Sequence, residues 1–197
     1  MIYINLIYED DLSEMVMVHI LNQFNNKFHI ANSYPGHGFG YLKTNIRGFN
    51  QASSIIPHFM LTDLDNYICP TELINDWINF TVNPNFIFRI AVKEVESWLL
   101  ADIEGLSEFL RVSPNNFPLQ PEIEIDPKNK LIQLARRSRL RKIREDIVPI
   151  NDNATIGPNY NGCLIEFIVK KWDIQKAMQR SSSLLSAINK LNQFTIP

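Results

Sequence analysis

Along the first half of the chain, short runs of β-branched and aromatic residues alternate with stretches whose apolar positions recur every three or four residues. Residues 2–8 (IYINLIY) form the first run. A strand covered on both faces needs such a nearly continuous apolar sequence, so this one reads as buried. Leu12, Met15, Val16, Val18, Ile20, Leu21 and Phe24 then follow helical spacing, with Asp11 or Ser13 available as a cap and Glu14 in the first turn. The same alternation predicts strands at 28–33, 58–64 and 85–92. It predicts a short helix at 46–54, one opening at Cys69-Pro70-Thr71 and running through Phe80, and one at 94–110. This rhythm implies a mainly parallel, Rossmann-like α/β sheet with helices on both faces. Beyond a proline-rich connector at 113–127, helical patterns at 128–143, 161–172 and 182–191 predict a C-terminal helical extension on the same core. The expected division is therefore 1–112 and 113–197.

Acids cluster where the predicted strands end: Glu9-Asp10-Asp11, then Asp63-Leu64-Asp65, then Glu94-Val95-Glu96. In an open parallel sheet, ligands bind in the crevice beyond the carboxyl ends of the strands. If the segment around Asp63 and Asp65 stays extended, alternate residues present both carboxylates to one side. Like charges so placed repel unless a cation or a proton lies between them. Oxygen ligands with no His or Cys cluster nearby favour Mg²⁺ or Mn²⁺ over zinc. The plainer alternatives are that Asp63 caps the next helix, that Asp65 is solvated, and that Glu94 and Glu96 are helix-start acids.

A strand ending in glutamate followed by a strand ending in Asp-x-Asp resembles the Toprim domain over about residues 1–110. The segment 88–102 (FRIAVKEVESWLLAD), and the C-terminal residues Gly157-Pro158-Asn159-Tyr160-Asn161, Phe167 and Trp172, are similar to small stand-alone Toprim-like bacterial proteins related to OLD-type nucleases. Asp10 stands where the family has glycine, and Tyr67 where a further acid is usual. The resemblance implies a metal-dependent nuclease, with Asp63 and Asp65 holding metal and Glu9 serving as a ligand or general base. Glu94 or Glu96 would complete a second metal shell, and Lys93 would neutralise the scissile phosphate. It also implies a phage-defence effector working beside an ABC-type ATPase; no Walker motif occurs here, so that ATPase would be another chain. Two other readings stay open: a non-catalytic module docking onto a partner or nucleic acid, and a Mg²⁺-dependent phosphotransfer enzyme acting on nucleotides.

Charge distribution changes the picture more than total charge. The net charge is −2, yet between Lys128 and Asp146 eight Lys or Arg residues face two acids. Arg136, Arg137, Arg139, Arg141, Lys142 and Arg144 therefore form a candidate nucleic-acid surface, on a helix whose Leu131, Ile132, Leu134, Leu140 and Ile143 face a core. A solvated helix face is the plain alternative. Cys69 and Cys163 stand apart, so two buried free thiols are expected rather than a zinc site. The opening sequence lacks a basic start, and no stretch has the roughly 18 apolar residues of a membrane span. A cytoplasmic protein, capable of self-association, is expected. The loop Pro35-Gly36-His37-Gly38-Phe39-Gly40 offers backbone amides to a phosphate, although its spacing is not that of a dinucleotide fingerprint.

Overall fold

The computed structural model describes every residue except Asn25, His37, Asp152 and Pro197. Its regular elements are β1 (Ile2–Tyr8), α1 (Asp11–Asn22), β2 (Phe28–Pro35), α2 (Phe39–Ala52), β3 (His58–Asp63), α3 (Pro70–Trp77) and β4 (Phe86–Ala91). Then follow α4 (Val95–Ala101), α5 (Ile103–Leu110), α6 (Pro127–Arg136), α7 (Arg141–Ile147), α8 (Tyr160–Lys170), α9 (Ile174–Ala177) and α10 (Ser182–Gln193). Two compact units result: Met1–Val92 with Ser183–Pro197, and Lys93–Ser182. This differs from the expected boundary at 112, because α4 and α5 pack with elements that follow them in the chain. No helix among the described residues is long and apolar enough to cross a membrane.

The first unit is a parallel sheet in the order β2-β1-β3-β4 with helices against it. Moving from β1 to β2 shifts the chain one way across the sheet, and moving from β2 to β3 shifts it back past β1. Right-handed crossovers therefore place α1 and α2 on opposite faces. On the α2 face, Ile7, Met60, Phe88 and Ile90 pack with Leu42, Ile46, Leu73 and Trp77. The final helix, α10, belongs to this unit from Ser183 onward. The ammonium group of Lys27 donates to the Leu191 and Asn192 carbonyls at 2.8 and 2.7 Å, closing its last turn.

The second unit is built around α4, whose residues are all buried. Buried on every side, α4 packs against α6 and α9, and its one charged residue, Glu96, is met by Lys128 and Tyr160. The expected single helix at 94–110 breaks at Asp102. This fully buried carboxylate accepts the Gly105 amide at 2.9 Å as the cap of α5, and the Asp173 amide at 2.9 Å. Burial pushes its carboxyl up from the usual range, with these two amides pulling the other way. A Cβ on Gly105 would lie 2.1 Å from the Asp102 Oδ2. Gly105→Ala is accordingly expected to lower stability by about 1–2 kcal/mol in a denaturant titration, by pushing the carboxylate off its amides. The expected helix at 128–143 also divides, into α6 and α7. The Ser138 hydroxyl accepts the Leu140 amide between them, the local bond that favours leaving a helix.

Candidate functional site

The sheet order places the topological switch point between β1 and β3, the neighbouring strands from which the chain departs in opposite directions. Glu9 directly follows β1, and Asp63 is the last residue of β3. The register Ile7↔Met60, carried two residues past the last pair, sets Glu9 opposite Thr62, one position from Asp63. Both acids thus reach the same carboxyl edge, but one position out of register: Glu9 meets α2, and the pleat turns the Asp63 side chain to the face away from α2.

Each neighbouring residue has a physical reason to be there. The Asp10 side chain accepts the Ser13 amide at 2.8 Å and caps α1. Gly36 approaches the end of β1 so closely that its amide meets the Tyr8 carbonyl at 2.6 Å; a Cβ there would fall 2.4 Å from the Leu42 Cδ2. Gly38, at φ 100°, is the N-cap of α2. β2 therefore runs to Pro35 and α2 begins at Phe39, so the regular elements extend into the loop expected at 35–40. His37 lies outside the described residues. The Phe39 amide, first in α2, donates to the Glu9 Oε1 at 3.1 Å. Glu9 thereby closes the positive end of a 14-residue helix, a role its sequence position did not reveal.

Asp65 departs from expectation. β3 ends at Asp63, and Asp65 sits in a turn at φ 49°, so the pair is not an extended segment presenting both carboxylates to one side. Its carboxylate belongs to the turn beyond the strand, half-buried like that of Asp63. Among the described residues no group of three or more His, Cys, Asp or Glu is arranged to hold a metal ion. The donors at this edge are nonetheless all carboxylate oxygens. Mg²⁺ keeps several of its waters and takes one or two carboxylates, so two acids at a strand edge fit it better than they fit zinc. Tyr67 is tied up nearby: its hydroxyl donates to Asp76 and accepts the Trp77 indole N–H at 3.3 Å, and Lys43 pairs with Asp76 at 2.5 Å. Burial and the neighbouring Glu14 push the Tyr8 phenol up to about 12, so it is a packed hydroxyl rather than a nucleophile.

Two further residues of this unit escaped the sequence reading. Thr62 is 1% exposed, and its hydroxyl has no hydrogen-bond partner among the described residues. Arg89 interrupts the otherwise apolar strand β4; its Nε is buried without a partner among the described residues, and burial works against its charge. A charged residue inside a central-strand pattern was the available signal.

Lys93, Glu94 and Glu96 belong to the second unit. Lys93 adopts φ 65° between β4 and α4. The Lys128 ammonium lies 3.6 Å from both Glu94 and Glu96, and its amide donates to the Glu94 Oε2 at 3.1 Å in the first turn of α6. Glu96, 2% exposed, also accepts the Tyr160 hydroxyl at 3.1 Å. These contacts make the two acids the joint between α4, α6 and α8.

The six predicted basic residues divide as well. Arg137 donates to the Asn116 side chain at 2.6 Å, Arg141 pairs with Glu145 at 2.7 Å, and Arg144 donates to the Ser138 carbonyl. Arg136, Arg139 and Lys142 are exposed. Lys142 also lines a cavity of about 450 Å³ with Arg111, Phe109 and Leu140, and Arg139 lines an adjoining one of about 520 Å³. Cys69 is exposed rather than buried; Cys163 is buried, and burial pushes its thiol up to about 11. No family model matches the chain, and neither a curated protein nor a solved structure matches it.

Proposed function

We propose that the crevice beyond β1 and β3 binds Mg²⁺ or Mn²⁺ and hydrolyses phosphodiester bonds of nucleic acid, in the manner of a Toprim-like nuclease. One observation carries this reading: the switch point of the sheet falls between β1, which Glu9 directly follows, and β3, which Asp63 ends. Asp63 would hold the ion. Glu9, whose carboxylate offers lone pairs beyond the one that meets the Phe39 amide, would complete its shell or accept a proton from the attacking water. When bound, the ion supplies a water that ionises near neutral pH and relief of charge on the leaving oxygen. Arg136, Arg139 and Lys142 are the exposed cations suited to phosphate contact, and a separate ATPase chain is the partner expected on the resemblance.

Cleavage of plasmid, single-stranded DNA and RNA with Mg²⁺ or Mn²⁺ tests the proposal, using Glu9→Ala and Asp63→Ala as controls against contaminating nucleases. Activity lost in both variants supports it. Identical behaviour of wild type and both variants on all substrates favours the alternative, a non-catalytic module docking onto an ATPase or nucleic acid. The contact that favours this alternative is the one by which Glu9 closes α2. Replacing Arg136, Arg139 and Lys142 by Gln is expected to reduce the slope of log affinity against log salt on duplex by about 0.9 per lost contact. A salt-insensitive complex would exclude this surface.

A further inference from the structure

We infer that Arg89 is the anion contact of the β1–β3 crevice, its guanidinium receiving a phosphate oxygen beside Asp63. The inference rests on the reading of that crevice as a phosphate-ester site. Arg89 pairs with Leu61 across β3 and β4, and Asp63 pairs with Ala91. Paired residues of a parallel sheet share a face, so Arg89 lies on the face of Asp63, two positions before the strand ends. Its neighbours on that face, Ile87 and Ala91, are both fully buried. A guanidinium in such a place keeps its charge and presents five N–H donors in a fixed fork. Arg89 is half-buried, and drawing that charge partly out of water is unfavourable unless an anion meets it. Yet its Nε is buried without an acceptor among the described residues.

An external oxyanion fits this place better than a stored internal partner. A phosphoryl group bridging a carboxylate-held cation and an arginine fork has its charge met from two sides, the arrangement that favours phosphoryl transfer. The apolar run FIFRIA needs nothing but hydrocarbon for folding, so an arginine at its fourth position calls for a reason outside the core.

The test compares full-length wild type, Arg89→Met and Arg89→Lys. Mn²⁺ affinity is read by calorimetry. Affinity for inorganic phosphate and for a short single-stranded oligonucleotide is read in Ca²⁺, and thermal midpoints are recorded. Arg89→Met should keep Mn²⁺ binding and melt at or above the wild-type temperature. It should bind both phosphate probes about ten- to a hundred-fold more weakly, the scale of a charge-assisted fork. Arg89→Lys should fall between, keeping the charge and losing the fork. Stronger Arg89-dependent binding of inorganic phosphate than of the oligonucleotide would assign the site to free phosphate; the reverse order assigns it to a phosphodiester. Unchanged affinity of Arg89→Met for both probes overturns the inference, as does a lowered melting temperature with unchanged binding. Absence of Mn²⁺ binding by wild type, with phosphate binding still dependent on Arg89, would overturn the metal reading and leave the anion site standing.

Discussion

Asp63→Asn is expected to reduce Mg²⁺-dependent cleavage by at least about 100-fold while leaving the melting temperature within a few degrees of wild type. The side chain stands at the last position of β3, half-buried, next to the strand that delivers Glu9. Asparagine keeps its size and one carbonyl oxygen but removes the negative charge a hard cation requires. Loss of an outer partner of a metal ligand already costs roughly 10–100-fold, so loss of a direct carboxylate should exceed that. Initial rates across a Mn²⁺ titration separate the two ways this can arise. A variant rescued by more metal has lost affinity, and one not rescued has lost the geometry of the bound ion. Equal rates for variant and wild type would remove Asp63 from the chemistry.

Tyr160→Phe should destabilise the protein by about 1.5–3 kcal/mol near neutral pH, the usual worth of a hydrogen bond to a charged group. Its hydroxyl is the buried donor to Glu96, which is itself nearly inaccessible and otherwise met by Lys128. The pH dependence supplies a second signature. Burial first, and then the negative field of Glu96, hold the Tyr160 phenol well above its ordinary value. A group whose folded pKa is raised adds stability that is complete below the unfolded value, near 10 for tyrosine, and is lost as pH climbs toward the folded value. Wild-type stability should therefore decline from about pH 10 upward, with Tyr8, at about 12, contributing in the same direction. Tyr160→Phe should start lower and decline less steeply, as read from urea titrations between pH 7 and 11. A neutral-pH loss below 0.5 kcal/mol, on the scale of an exposed contact, would show that Glu96 does not depend on this donor.

These two expectations part the acids that look alike in sequence. Glu9 and Asp63 stand at the switch point, whereas Glu94 and Glu96 are held by Lys128, Tyr160 and an α6 amide within the second unit. A glutamate two residues from another glutamate carries no mark that says whether an ammonium 34 residues away will meet it. The Glu9 carboxylate joins both roles, since it closes α2 whatever else it binds. Glu9→Ala should therefore lose stability as well as activity, by the roughly 0.5–2 kcal/mol of a lost helix cap.

What the amino-acid order determined by itself was the alternation of elements and the chemistry at their ends. Runs such as IYINLIY and HFMLTD are short, apolar and rich in β-branched or aromatic residues, and those local features favour buried strands. That acids follow β1 and end β3 is equally local. Tertiary structure decided which acids share an edge, because sheet order depends on how crossovers pack rather than on any one segment. It also turned Asp65 out of the extended line, and broke 94–110 at Asp102 by offering that carboxylate two amides, one from a residue 71 positions away. It drew 93–182 into a unit of its own, and left the half-buried Arg89 with an Nε that meets no acceptor among the described residues. Long-range contacts set the surroundings of a charge, and those surroundings decide whether it caps, pairs or waits for a ligand.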